Sequence, residues 1–188
     1  MVGEVRDTET ADLAIQAALT GHQVFSTVHT NSSSGAPPRL LDMGVEPFLL
    51  TSALNAVVGQ RVVRKICPHC RIEFDASPEV VENIKAVLGK LLPASTRGEP
   101  TSLVVSLRLF KGRGCSFCAN TGYLGRVGIF EVLSISEQIS KLILEHAASG
   151  SIEQAAVASG MVTMKQDGYL KVLEGVTTME EVLRVAQD

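Results

Sequence analysis

All four cysteines of this 188-residue chain fall into two pairs of one spacing, Cys67 and Cys70 in CPHC and Cys115 and Cys118 in CSFC. A C-x2-C turn points two thiolates at one ion, and two such turns complete a tetrahedron. No other feature constrains the fold as much, because whatever lies between Cys70 and Cys115 must leave one point and return to it. Zinc is the ion expected. The alternatives are an iron–sulfur centre, two disulfides, or cysteines that serve redox chemistry or simply pack. Disulfides are disfavoured in a reducing cytoplasm, and chance packing would not leave every cysteine in a pair. Four protein thiolates leave no open coordination position, so the metal's part is structural. His69, inside the first turn, is expected to be exposed rather than a fifth ligand. Arg64, Lys65, Arg71, Lys111 and Arg113 flank the cysteines. They read as compensation for the net negative charge of a tetrathiolate zinc, with an anion patch or a protein contact surface as the other readings.

The stretch between the pairs carries its own signals. SPEVVENIKAVLG reads as a helix, with Ser77 as N-cap, Pro78 in the first turn, Val80, Val81, Ile84, Val87 and Leu88 as its apolar side and Gly89 as its stop. LPASTRGEPTS reads as a loop and LVVSLRLF as a strand. After the second pair, GRVGIFEVL reads as a strand that rejoins the main sheet. Short helices follow. SEQISKLILEHAA has Ser136 as its cap and Ile139, Leu142, Ile143 and His146 along one face. Capping-box patterns recur at Ser151 with Gln154, Thr163 with Gln166 and Thr178 with Glu181, and Gly160 and Gly175 stop the intervening helices.

The first third carries the chemistry. In DTETADLAIQAALTGHQ, Asp7 caps a helix, Glu9 sits in its first turn, Ala11, Ala14, Ile15 and Ala18 fall at helical spacing, and Gly21 ends it. QVFSTV then reads as a short strand, which leaves His29, Thr30 and Asn31 at a strand exit. Ligands of α/β folds bind outside the carboxyl ends of strands. Glu4, in the opening MVGEVRD, occupies the matching place at the end of an opening strand. On that placement Glu4 orients a water or holds one bound to Mg2+, and His29 contacts a phosphate. The plainer readings are an exposed acid and a structural histidine.

Bulk properties narrow the classes. The apolar fraction is 45%, charged residues are 20% and the formal net charge is −3, an ordinary globular composition with no general affinity for nucleic acid. Aromatic residues are only 4% of the chain and tryptophan is absent, which argues against a base-stacking platform. No apolar run approaches the roughly 20 residues of a membrane span, and no signal-peptide pattern opens the chain. A cytoplasmic protein is expected.

VGEVRDTETADLAIQAALTGHQVFSTVHTN resembles the secretion ATPases of type II secretion and type IV pilus assembly. GEVRD is similar to their Walker B box and GHQVFSTVHTN to their histidine box. The likeness continues through RLLDMGVEPFLLTSALNAVVGQRVVRKICPHC and GCSFCANTGYLGRVGIFEVL, and is weakest between Cys70 and Cys115 and in the last helices. The two prolines before Arg39 depart from the family and are expected to shorten the helix there.

The resemblance implies an α/β chain: a truncated RecA-like ATPase core over 1–66, an inserted tetracysteine zinc subdomain over 67–118, and a returning strand with a C-terminal helical bundle over 119–188. It makes Glu4 the Walker B acid near Mg2+ and His29 the histidine near the γ-phosphate, the two candidate catalytic residues. Arg6, Gln60 and Arg61 become candidate cofactor-binding positions, a subunit contact being the other role open to Gln60 and Arg61. Cys67, Cys70, Cys115 and Cys118 match the zinc-binding cysteines of assembly-type members; retraction-type members lack that module.

Such ATPases carry a P-loop upstream of Walker B, and no G-x-x-x-x-G-K-[ST] occurs in this sequence. Its nearest Gly-Lys pair, Gly89-Lys90, continues into Leu91-Leu92. The resemblance thus implies the C-terminal part of a longer ATPase, cut inside the Walker B strand. The parent would be a homohexamer using ATP and Mg2+ beside an inner-membrane platform protein. The segment alone would be an inactive monomer with no specific nucleic-acid partner. A zinc-ribbon-like binding module, or a short regulatory paralogue that joins an ATPase ring, are the alternatives.

Overall fold

Cap chemistry sets the elements. Asp7 has extended backbone and its side chain accepts a hydrogen bond from Thr10 N at 2.8 Å, which satisfies one of the amides a helix start leaves open. Ser77, Ser136 and Thr163 do the same for Val80, Ile139 and Gln166. At Thr163 the Gln166 side chain returns the bond, completing the expected capping box. The computed structural model describes residues 1–92 and 107–186. In chain order its elements are α1 (Thr8–Leu19), α2 (Ala36–Asp42), α3 (Pro47–Ala53), β1 (Ala56–Ile66), β2 (Arg71–Asp75), α4 (Pro78–Leu88), β3 (Arg108–Gly112), β4 (Tyr123–Ser134), α5 (Glu137–Leu144), α6 (Ser149–Ala158), α7 (Met164–Leu173) and α8 (Met179–Val185). Most of the loop expected at LPASTRGEPTS and the first part of the LVVSLRLF strand lie outside the described residues.

Helices and strands are mixed, and the described strands pair as β1 with β4 and β2 with β3. The chain divides into two compact units, Met1–Gly59 with Glu131–Val162, and Gln60–Phe130 with Thr163–Asp188. The helices expected as one C-terminal bundle divide with them, α5 and α6 belonging to the first unit and α7 and α8 to the second.

In the first unit α1, α3, α5 and α6 bury Ala11, Ile15, Leu50, Ile139, Ile143 and Ile152 against Leu133 of β4. Each fully buried aliphatic side chain of this kind contributes about 1.5–3 kcal/mol. Pro37 and Pro38 fall in the first turn of the seven-residue α2, where a missing N–H costs nothing. The expected strand QVFSTV is not a regular strand. Its segment is extended and accepts from the opening residues through Val2 N to Phe25 O at 2.9 Å and Val5 N to Thr27 O at 2.8 Å. That is two bonds rather than a continuous ladder. His146 does not extend the face of α5. It lies beyond Leu144 with φ +52°, in the turn that ends the helix. Ser151 does not cap either, because α6 already starts at Ser149 after Ala148.

In the second unit β2 and β3 run antiparallel from Arg71 opposite Gly112 to Asp75 opposite Arg108. Over them α4 and α7 bury Ile84, Leu88, Leu109, Tyr169 and Val172. Tyr169, fully buried, donates its hydroxyl to Asn83 Oδ1 at 2.8 Å, so its polar tip is satisfied inside the core. A smaller cluster of Val63, Ile129 and Met164 lies beneath β1 and β4. The third expected capping box fails. Thr178 makes no side-chain cap bond, its hydroxyl meeting Tyr123 Oη at 2.9 Å instead. Glu181 is taken by two arginines. Its carboxylate, 2% exposed, receives Arg64 Nη2 at 2.6 Å and Arg184 Nη2 at 2.9 Å, with the Arg64 amide donating at 3.0 Å.

Candidate functional site

The cysteine cluster is built where β1 ends. Ile66 and Cys67 are buried, and Cys70 N closes the first turn on Cys67 O at 3.3 Å. The second turn is a 3-10 turn, Ser116–Cys118, followed by Ala119 and Asn120 with φ of +48° and +61°. Asn tolerates that left-handed backbone readily and Ala does not, so the sequence spends local strain to bring the chain round. The turns are tied together by Cys67 N to Gly122 O and Arg113 N to Cys70 O, both 2.9 Å. Gly112 and Gly122 cross so closely that a Cβ on Gly112 would lie 2.0 Å from Gly122 O.

The four Sγ atoms lie within 4.8 Å of one another. Cys67 to Cys115 and Cys70 to Cys118 are 3.9 Å, and Cys115 to Cys118 is 3.7 Å. A tetrahedron with metal–sulfur bonds of about 2.3 Å has edges of about 3.8 Å. The donor set therefore fits one zinc, and the separations are far too long for disulfides. Amides of Cys115 and Gly122 point at Cys118 Sγ, each at 3.3 Å, and Gly114 N points at Cys70 Sγ at 3.3 Å. Burial pushes both thiols up. At Cys118 the two amides, together with hydrogen bonds from the Cys115 and Cys70 thiols, outweigh it and bring the thiol down to about 6, whereas Cys70 stays raised at about 11.

His69 is exposed, as expected, and stacks on Phe117 of the other turn, ring centroids 4.1 Å apart. Three of the five flanking basic residues find side-chain partners other than the sulfurs. Arg64 joins Glu181 and lies over Tyr123, Arg71 lies over Phe110, and Lys111 lies over Phe74.

In the first unit the extended segments 1–5 and 23–28 bring Glu4 beside His29, the juxtaposition expected from the sequence. Glu4 is four-fifths buried at its side chain, with Arg6 Nη2 2.6 Å from Oε2 and His29 Nε2 2.7 Å from Oε1. The imidazole stands off the hydrogen-bonding line, so no described group donates a hydrogen bond to the buried Oε1. The Arg6 hydrogen bond, with the charges of Arg6 and His29, holds the Glu4 carboxyl below its ordinary range against the opposing effect of burial. Glu4 is thus ionised at neutral pH, with Oε1 buried and faced by His29 Nε2. His29 itself is 88% exposed at its side chain, presented rather than packed. Gln60 and Arg61 are exposed on β1 in the second unit.

Two acids escaped the sequence reading. Glu131 and Glu181 are both buried. Glu131 was visible in principle: along GIFEVL the buried residues are Ile129, Glu131 and Leu133, while Phe130 and Val132 are exposed. An acid in phase with the core side of a strand signals a buried carboxylate with a dedicated donor. Glu181 gave no such signal, since the pattern TTMEE reads locally as a cap.

The family model described as Type II/IV secretion system protein matches residues 1–184. A type II secretion system protein E of Xanthomonas campestris is 47% identical over 188 residues, all of this chain and 31% of that protein. The type IV pilus assembly ATPase PilB of Thermus thermophilus is 42% identical over 183 residues, 97% of this chain and 19% of that protein. This chain therefore spans a third or less of these two relatives. Among solved structures, the pilus retraction motor PilT with bound ADP superposes with a TM-score of 0.60 at 23% identity, covering 100% of this chain and 40% of that one. The Legionella pneumophila ATPase DotB gives 0.58 at 19% identity, covering 98% and 37%. These two likenesses show a shared fold.

Proposed function

Because this chain belongs to the type II/IV secretion system protein family, we propose that it supplies the Walker B acid and the histidine box of an ATPase that powers type II secretion or type IV pilus assembly. The reading rests on one observation above the rest: His29 meets the ionised Glu4 at 2.7 Å, in a chain that the family matches over residues 1–184. Glu4 orients the attacking water and accepts its proton, and Arg6 keeps that carboxylate charged and aimed. Mg2+, when bound, would neutralise charge on the phosphates, and the ionised Glu4 carboxylate is the residue here that would help to hold it. His29, largely exposed, contacts the γ-phosphate. Glu4 and His29 carry no phosphate cradle of their own, so a P-loop elsewhere in the full-length protein completes the site, and the isolated segment does not hydrolyse ATP.

The full-length protein works as a cytoplasmic homohexamer against an inner-membrane platform protein. No helix among the described residues is long and apolar enough to cross a membrane, which suits attachment through a partner. Gln60 and Arg61, exposed on β1, serve a nucleotide or subunit contact. The four cysteines hold a structural zinc. The test is the gene: an in-frame P-loop upstream of the Met1 codon supports the reading, and a reading frame with none overturns it.

A further inference from the structure

The loop that carries His29 is pinned at its far end by a carboxylate from a different part of the chain. Thr30 Oγ1 donates to Ser32 O at 2.9 Å, Ser32 Oγ accepts from Gly35 N at 3.2 Å, and Ser33 and Ser34 are each 1% exposed. Into this turn Glu131 Oε1 accepts a hydrogen bond from Ser33 N at 2.6 Å. Glu131 is 7% exposed, on a strand between Ile129 and Leu133, which are fully buried. A carboxylate there is costly unless it does a specific job, and a charge-assisted bond to a backbone amide is among the strongest that one residue can offer a loop. Room for it comes from Gly59, where a Cβ would stand 2.7 Å from Glu131 Cγ and 2.9 Å from Oε1.

We propose that Glu131 is a positioning residue for ATP hydrolysis, fixing through Ser33 the turn that holds His29 against Glu4. The inference rests on the functional reading of His29 given above. It requires that the hydrogen bond at Ser33, four residues along the loop, set the place of an exposed imidazole. The turn between them is short and internally bonded, so releasing one end moves the other. A shift of about 1 Å in a group that acts on a reacting phosphate costs on the order of 100-fold in rate.

The test is a double-mutant cycle in the full-length ATPase with Glu131→Leu, His29→Ala and their combination, with steady-state hydrolysis measured as kcat and KM. Glu131→Leu is expected to lower kcat roughly tenfold or more with KM for ATP little changed. Glu131→Gln, which keeps an acceptor oxygen, restores most of that loss. In the His29→Ala background Glu131→Leu has no further effect. An equal loss in both backgrounds overturns the proposal, because Glu131 then acts on something other than His29. If His29→Ala leaves kcat unchanged, the functional reading of His29 fails instead.

A measurement on this chain separates the two failures. Hydrogen exchange of the Ser33 amide should speed up in Glu131→Leu while the amides of α1 do not change. Unchanged exchange at Ser33 overturns the anchor itself. Should Glu131→Leu not fold, Gly59→Ala displaces the carboxylate without removing it, and the same kcat and exchange changes are expected; their absence there counts against the proposal.

Discussion

Replacing Glu181 with Gln removes the charge of the most deeply buried carboxylate in the described ion pairs and leaves its shape. The Glu181 side chain is 2% exposed and receives bonds from the Arg64 amide and guanidinium and from the Arg184 guanidinium. The Arg64 hydrogen bond, opposed by burial and helped by Arg184, holds the Glu181 carboxyl down at about 2. Against an ordinary value near 4.5, the ionised form contributes about 3 kcal/mol at neutral pH. Breaking a buried pair usually costs about 3–5 kcal/mol, because the surviving charge stays buried. Here Arg64 and Arg184 are 48% and 55% exposed at their side chains and can rehydrate, so the expected loss is about 2–3 kcal/mol. A depressed carboxyl stabilises above its unfolded pKa and loses that contribution as pH falls through the folded value. The difference between wild type and Glu181→Gln should therefore be constant from pH 7 to about 5 and shrink by roughly half near pH 3. Urea unfolding of both proteins at pH 7 and pH 3, in matched metal-free buffers, reads it. A difference below about 0.5 kcal/mol at pH 7, or one that does not change with pH, refutes the reasoning.

Elemental analysis should find one zinc per chain, and Cys115→Ser should abolish it; a chelator should loosen the cysteine module and β2–β3 before the helices of the first unit, as read by hydrogen exchange. Gly112→Ala should destabilise the same module by at least about 3 kcal/mol and weaken zinc retention, because its Cβ would meet Gly122 O at 2.0 Å; a variant that unfolds and holds zinc like wild type contradicts the close approach. Asp7→Ala should cost about 1 kcal/mol through loss of the cap on Thr10 N, measured by thermal unfolding. ATP with Mg2+ should leave the melting temperature of this chain unchanged, since a ligand that binds the native state must raise it.

What could be read from the sequence follows the range of the interactions concerned. Asp7, Ser77, Ser136 and Thr163 cap amides three residues away, and a pattern of four letters contains the whole interaction. The cysteine cluster was legible for a related reason: its spacing fixes each half locally, and four soft ligands have few other uses. Thr178 and Glu181 look like the same four-letter cap, but Glu181 is claimed by Arg64, a residue more than a hundred positions away, and the stronger ion cluster wins. QVFSTV has the composition of a strand, but a strand exists only through a ladder, and two hydrogen bonds to residues 2 and 5 do not make one. The meeting of Glu4 with His29 was expected from strand exits and is found. The anchoring of that loop by Glu131 depends on a strand, a glycine and a serine amide from three parts of the chain, which no local pattern joins.

Under the proposed function Glu4 is the acid of an ATP-hydrolysing site. The measurement that tests it most directly is steady-state ATP hydrolysis by the full-length protein carrying Glu4→Gln, with nucleotide binding followed in parallel. Glutamine keeps the size of the side chain and cannot accept the water's proton. The expected result is a loss of about 100-fold or more in kcat with ATP binding retained. Hydrolysis at the wild-type rate would show that Glu4 is not that acid.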